Sequence, residues 1–182
     1  MEKTEILRKT SRSQRGLDAL DRRILSALSR DATQSYAAIG EEVGLSAPAV
    51  HERVKRLRAS GAIRATVAQI DGVQVGKPIL AFVHVDTVGW CKSVEIRKLD
   101  QFPEVEEIHA MTGDTGLLIK VRVASPPALE GLLSQIYEIE GVRGTRTYLT
   151  LSTMLERAVQ AEVTEDLEFL SDRRSAEGLA GG

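Results

Sequence analysis

The 182-residue chain contains a single cysteine, Cys91, so no disulfide can form within it, and such a composition suits a reducing compartment. No apolar run approaches bilayer-spanning length, and the polar N-terminus has no signal-peptide core. The expected location is therefore the cytoplasm, with no membrane partner. There are three histidines; His84 and His109 fall on different expected strands, with no Cys or carboxylate at ligand spacing, which argues against a metal centre. Neither a phosphate-binding loop nor a dinucleotide fingerprint follows any strand-like run. Cys91 stands beside Trp90 without an evident base, so a thiol nucleophile is not expected. These absences leave no catalytic set: no enzyme, cofactor or metal is expected.

The net charge of −2 conceals a division. Residues 1–64 hold 13 Lys and Arg against 8 Asp and Glu, whereas residues 65–182 hold 11 against 18. A basic front half joined to an acidic back half points to a nucleic-acid-binding portion attached to something else. The excess is mild, and phosphate neutralisation supplies much of the affinity for DNA, so one copy is expected to bind weakly and an assembly to bind well. Residues 1–16 carry five basic groups and read as a loose arm; the tail from Ser171 reads as disordered.

Ser35 to Ile63 reads as two short helices joined by a tight turn. Ser35 is a candidate N-cap, Ile39 and Val43 share a face, and Gly44 can take the left-handed dihedral that closes the first helix. Ser46 then caps a second helix with Pro48 in its first turn, where the missing N–H costs nothing; this helix runs to about Ser60 and is closed by Gly61. Val50, Val54 and Leu57 are expected inward, leaving Pro48, His51, Glu52, Lys55, Arg56 and Ala59 outside. An earlier helix from Leu17 with Leu20, Ile24, Leu25 and Leu28 on one face completes a three-helix, helix-turn-helix unit. The candidate DNA-contacting set is Ser35, Ser46, Ala47, Pro48, His51, Glu52, Lys55 and Arg56. An ordinary helical hairpin with solvated charges is the bland alternative.

Beyond Gly61 the period changes. Ala62 to Asp71 alternates as a strand, and Gly72 to Pro78 reads as a connection. Ile79 to Val88, Val105 to Thr112, Leu117 to Ala124 and Val142 to Ser152 are expected strands. Lys92 to Phe102 is an expected helix with Ile96 and Leu99 buried, and Ser125 opens another, to about Ile139, with Leu129, Leu132, Leu133 and Ile136 as its stripe. The order β-α-β-β-α-β is a ferredoxin-like arrangement within an α+β class, with helices on one face and the other left bare. A bare sheet face invites a second copy. The expected organisation is an arm at 1–16, a helix-turn-helix (winged-helix-like) domain at 17–63, a linking strand and connection at 64–78, a ferredoxin-like effector-binding and dimerisation domain at 79–155, and an extension at 156–182.

Several motifs in this order resemble the Lrp/AsnC, or feast/famine, regulators. They are Leu17-Asp18-Ala19-Leu20-Asp21-Arg22-Arg23-Ile24-Leu25; Val43-Gly44-Leu45-Ser46 followed by Val50, Glu52-Arg53-Val54, Arg56-Leu57 and Gly61-Ala62-Ile63; Met111-Thr112-Gly113-Asp114; and Gly141-Val142-Arg143 with Thr145-Arg146-Thr147-Tyr148. The resemblance spans Leu17 to about Leu155. It implies a transcriptional regulator that binds double-stranded DNA as a homodimer or a larger assembly, commonly an octamer, and takes an amino acid or related metabolite at contacts between dimers. By similarity the effector set is Ala110, Thr112, Gly113, Asp114, Thr115 and Gly116 with Tyr148 and Thr150. Glycine N–H groups would hold a carboxylate there and Asp114 an α-ammonium. The chain departs from the family where relatives often carry an aromatic, an Asp and a second aromatic; Thr115, Gly116 and Leu117 stand there instead. That departure points away from leucine-type specificity and keeps open an architectural protein that wraps or bridges DNA without a small ligand; a hairpin turn is the plain reading of Gly113 to Gly116.

Overall fold

The computed structural model describes residues 16–88 and 94–164. The expectations for the N-terminal arm, for Trp90 and Cys91, and for the tail from Ser171 concern residues outside those described. The chain divides into two compact units: Met1–Val67 together with Arg157–Gly182, and Ala68–Glu156. No helix among the described residues is long and apolar enough to cross a membrane.

The first unit contains α1 (Ala19–Arg30), α2 (Tyr36–Val43) and α3 (Ala47–Ala59). Asp18 caps α1 in a reciprocal capping box, its carboxylate taking the Asp21 N–H while the Asp21 carboxylate takes the Asp18 N–H. Ser35 caps α2 by accepting from the Ala38 N–H, and Ser46 caps α3 by accepting from the Ala49 N–H. Gly44 closes α2 with φ of +77°, the left-handed conformation expected of it. Ile24, Ala27, Ile39, Val43, Val50, Val54 and Leu57 form the buried core, and Leu25, Leu28, Tyr36, Leu45 and Ile63 pack against it. The inward stripe of α3 is therefore the expected one.

Ala62 to Asp71 forms no strand. Its alternation needs a neighbouring ladder to become a strand, and no strand among the described residues pairs with it. Val67 and Ile70 remain 81% and 68% exposed.

The second unit is an antiparallel sheet ordered β2-β3-β1-β4, built from β1 (Ile79–Thr87), β2 (Val105–Ala110), β3 (Leu117–Val123) and β4 (Val142–Leu149). Val83 pairs with Ile119 on β3 and Thr147 on β4, and Ile108 pairs with Ile119 from the other side. Helix α4 (Pro126–Tyr137) is capped by Ser125 and covers one face with Leu129, Leu132 and Ile136. These side chains meet Ala81, Val83, Val85, Leu117, Ile119, Val121 and Val123. Each fully buried residue of this size contributes about 1.5–3 kcal/mol.

The first crossover differs from expectation. Val94–Gln101 is a 3-10 helix rather than an α-helix, and Lys92 lies outside the described residues. Its end is closed by an i→i+3 bond from the Phe102 N–H to the Leu99 carbonyl at 3.2 Å, and Pro103 follows. A residue before proline is disfavoured in the α region, so the tighter turn ends the segment. Leu99 is buried as expected.

The second face is not an apolar blank. Alternation places Phe82, His84 and Asp86 of β1 there with Leu118, Lys120 and Arg122 of β3 and Arg146 and Tyr148 of β4. Lys120 meets Glu106 at 3.1 Å and Glu156 at 2.9 Å, and Arg122 meets Glu106 at 2.7 Å. Burial pushes the Glu106 carboxyl upward, but its bonds to Arg122 and Lys120 outweigh burial and hold it below the usual range. The chain after β4 thus supplies an anion, Glu156, to this face.

Candidate nucleic-acid interface and ligand turn

The geometry of α3 separates its cations into two classes. Arg53 and Arg56 point back to α1: Arg53 Nη1 lies 2.7 Å from both the Asp18 and the Asp21 carboxylate, and Arg56 Nη2 is 2.8 Å from each Asp21 oxygen. The Arg53 guanidinium holds the Asp18 carboxyl below its ordinary range, and Asp18 and Asp21 raise Arg53 above its own. Asp21 is completely buried. These four residues set the angle at which α3 is presented.

Lys55 and Arg58 form the other class. Both are exposed, and neither side chain has a hydrogen-bond or ion-pair partner among the described residues. Arg56 was expected among the DNA contacts, yet its charge is largely spent on Asp21; Arg58, absent from the expected set, is an outward cation. The spacing contained the signal: Arg58 lies three residues beyond Lys55, on the same side of a helix, whereas Arg53 flanks the inward stripe. Arg58 also lines a shallow cleft of about 370 Å³ with Ile63, Arg64, Ala65 and Thr66.

The remaining expected contacts are exposed or nearly so. Pro48 and Glu52 face outward, Ala47 is half-buried, and Ser35 and Ser46 have hydroxyls engaged as caps. His51 stacks on Tyr36 with ring centroids 5.5 Å apart, which anchors the ring against α2 while leaving the side chain exposed.

The eight expected effector residues do not converge within one chain. The β2–β3 turn carries Thr112, Gly113 and Asp114 on the surface, with the Asp114 side chain 89% exposed and 3.7 Å from Arg146. Thr115 is buried, its hydroxyl donating to the carbonyls of Val85 at 3.2 Å and Leu117 at 3.3 Å. The Gly116 N–H donates to the Val85 carbonyl at 3.1 Å, so it is not free to hold a carboxylate. A Cβ on Gly116 would stand 2.4 Å from Thr87 Oγ1; glycine is needed for this close approach. The donors of these two residues are engaged in building the turn.

Register gives the remaining distances. Ala110 is level with Leu117 and Val85, while the Thr150 N–H donates to the Leu80 carbonyl. Leu80 and Val85 are about 17 Å apart along β1 at about 3.3 Å per residue. Tyr148 lies between, paired with Phe82 and with its ring 5.2 Å from that of His84. Thr150 and the turn therefore occupy opposite ends of the sheet.

Comparison with known proteins agrees with both units. Residues 17–58 match the AsnC-type helix-turn-helix domain, and residues 80–160 match the Lrp/AsnC ligand binding domain. An HTH-type transcriptional regulator from Pyrococcus furiosus is 34% identical over 77% of this chain and 93% of its own length. The crystal structure of an AsnC family transcriptional regulator from Agrobacterium tumefaciens is 29% identical, with a TM-score of 0.71, covering 82% of this chain and 98% of that one. A transcriptional regulator from Neisseria meningitidis, solved as a complex with L-Met, shares the fold at 24% identity and a TM-score of 0.70, covering 78% of this chain and 94% of that one.

Proposed function

Because the chain belongs to the Lrp/AsnC family of transcriptional regulators, we propose that it binds promoter DNA through α3 as a homodimer or larger assembly and responds to an amino acid. The observation that carries the DNA-reading role is the pair Lys55 and Arg58, outward and unpartnered among the described residues on a helix whose tilt is fixed by Asp18 and Asp21. Ser35, Ser46, Ala47, Pro48, His51 and Glu52 complete the contacting surface, the two capping serines lying where helix N-termini meet phosphate. Among the described residues one copy offers few free cations for tight binding, so pairing of copies is part of the mechanism.

Support for self-association comes from apolar side chains exposed in the single chain. Leu151 is 100% exposed, and Met154, Leu155 and Val159 follow it on the segment after β4. Val67 and Ile70 lie on the segment that alternates like a strand but has no ladder. A second copy would give both a partner.

The ligand is an amino acid held between copies. The Thr112–Asp114 turn of one chain faces Tyr148 and Thr150 of another, an arrangement supported by the separation of these groups within a single chain. Asp114 supplies an exposed carboxylate for the α-ammonium, and Ala110 and Gly113 border it. L-Met, which the Neisseria meningitidis protein of this fold binds, is a natural first probe. The engaged N–H of Gly116 favours the second reading, an architectural DNA-binding protein without a small ligand.

Thermal denaturation with each of the twenty amino acids decides between them. A ligand present at a hundredfold its Kd adds about 2.7 kcal/mol to stability. A rise with one or a few amino acids is expected, with an oligomer in sedimentation. No rise with any of the twenty, alongside compaction of DNA, replaces the ligand-responsive reading by the architectural one.

A further inference from the structure

We propose that residues 161–163, with Glu162 at their centre, are a strap that docks on the Arg22–Ser26–Arg30 stripe of α1 and braces the DNA-reading unit. Arg22, Ser26 and Arg30 recur every four residues, so they share one side of the helix. That side is distinct from the Asp21 contact to α3. Arg22 Nη1 donates to the Ala161 carbonyl at 3.0 Å, and the Ser26 hydroxyl donates to the Glu162 carboxylate. Ser26 is only 7% exposed, so its hydroxyl is a largely desolvated donor that the strap satisfies. Arg22, Arg23, Ser26, Arg30 and Glu42 border a shallow cleft of about 300 Å³, and Glu162 and Val163 form its remaining wall.

Charge explains why this occupant belongs here. Three arginines line the cleft against one acid of the helical unit, Glu42, which meets Arg30 and whose carbonyl takes Arg23 at 2.5 Å. Glu162 adds the second acid. The Ser26 hydroxyl, foremost, holds the Glu162 carboxyl below its ordinary range, with the Arg30 charge adding to it. The match to the ligand-binding domain ends at residue 160, just before the strap. The chain leaves the first unit after Val67 and returns to it at Arg157. The bracing of DNA reading rests on the role proposed for the first unit; the docking itself does not.

Hydrogen exchange tests the docking without DNA or ligand. Three proteins are compared: the full chain, a chain ending at Gln160, and Glu162→Lys. The amides of Ser26 to Arg30 are expected to exchange about tenfold faster in both variants, with α2 unchanged as a sign that the unit stays folded. Ser26→Asp alone, which repels Glu162, gives the same acceleration, and combining it with Glu162→Lys returns exchange towards the native rate. Native-like exchange in the shortened chain and in Glu162→Lys overturns the proposal, as does a double variant no better protected than either single one. Protection that is lost on dilution assigns the strap to a second copy and overturns docking within one chain.

Discussion

Asp21, in the first turn of α1, presents both carboxylate oxygens to Arg56 of α3 at 2.8 Å. The same carboxylate takes Arg53 at 2.7 Å and, through the capping box, the Asp18 N–H. A buried carboxylate is tolerable only when its acceptors are filled by charged donors, as they are here. The pairing ties the start of α1 to the face of α3 adjoining its outward cations, so stability and the proposed DNA presentation share one group.

Removing that group leaves Arg53 with a single carboxylate and strips Arg56 of both its bonds. Asp21→Ala is expected to cost about 3 kcal/mol, the scale for breaking one side of a buried pair. Asp18→Ala removes a more exposed cap and is expected to cost about 1 kcal/mol. Denaturant unfolding followed by circular dichroism measures both; equal losses would show that Asp21 acts only as a capping residue.

For DNA binding, Lys55→Ala and Arg58→Ala are each expected to weaken retardation of a promoter fragment and to flatten the salt dependence by about 0.9 in logarithmic slope per lost phosphate contact. Arg56→Ala is expected to act mainly through stability, with a smaller change in slope. Equal flattening by Arg56→Ala and Arg58→Ala would mean that Arg56 leaves Asp21 on binding, and an unchanged slope in Arg58→Ala would remove that residue from the interface.

How much of this was legible beforehand depends on the range of the interactions. Ser35, Gly44, Ser46 and the Val50–Val54–Leu57 stripe act within a few residues, and the sequence pattern placed them. The Asp21–Arg56 pairing spans 35 positions and became visible only once α1 and α3 were packed. Thr115 and Gly116 read as ordinary turn residues, but their burial depends on β1, whose Val85 carbonyl takes both of their donors. The strand expected at Ala62 to Asp71 failed for the opposite reason: alternation records a tendency, and no ladder among the described residues satisfies it.

Acid should weaken the fold through identifiable carboxylates. Bonds from Arg53 and the Asp21 N–H lower Asp18; a bond from His109 lowers Glu107; Glu106 is lowered against the opposing effect of burial. A carboxylate lowered in the folded state stabilises it at pH values above the unfolded value, about 3.9 for Asp and 4.3 for Glu. That contribution is lost as pH falls through the folded value. Stability to urea is therefore expected to be level with respect to these groups above about pH 5 and to fall below about pH 4. Glu106→Gln should shallow the acid decline; a decline identical to that of the native chain would exclude the Glu106 pairing with Arg122 and Lys120 as a contributor.

The β2–β3 turn separates the buried residues that build it from the exposed ones proposed to bind the ligand. Thr115→Val leaves the Val85 and Leu117 carbonyls without its hydroxyl and is expected to cost about 1 kcal/mol of stability. Gly116→Ala drives a methyl group into Thr87 and is expected to cost about 1–3 kcal/mol. Neither should alter the identity of the amino acid that raises the melting temperature. Asp114 is 89% exposed, so Asp114→Ala should leave the unliganded melting temperature unchanged while abolishing the rise produced by that amino acid. The opposite pattern, a full ligand response in Asp114→Ala and a lost one in Thr115→Val at matched stability, would move the binding group from the tip of the turn to its buried base. The outward Asp114 and the inward Thr115 are adjacent in sequence, so the comparison isolates side-chain direction at nearly the same backbone position.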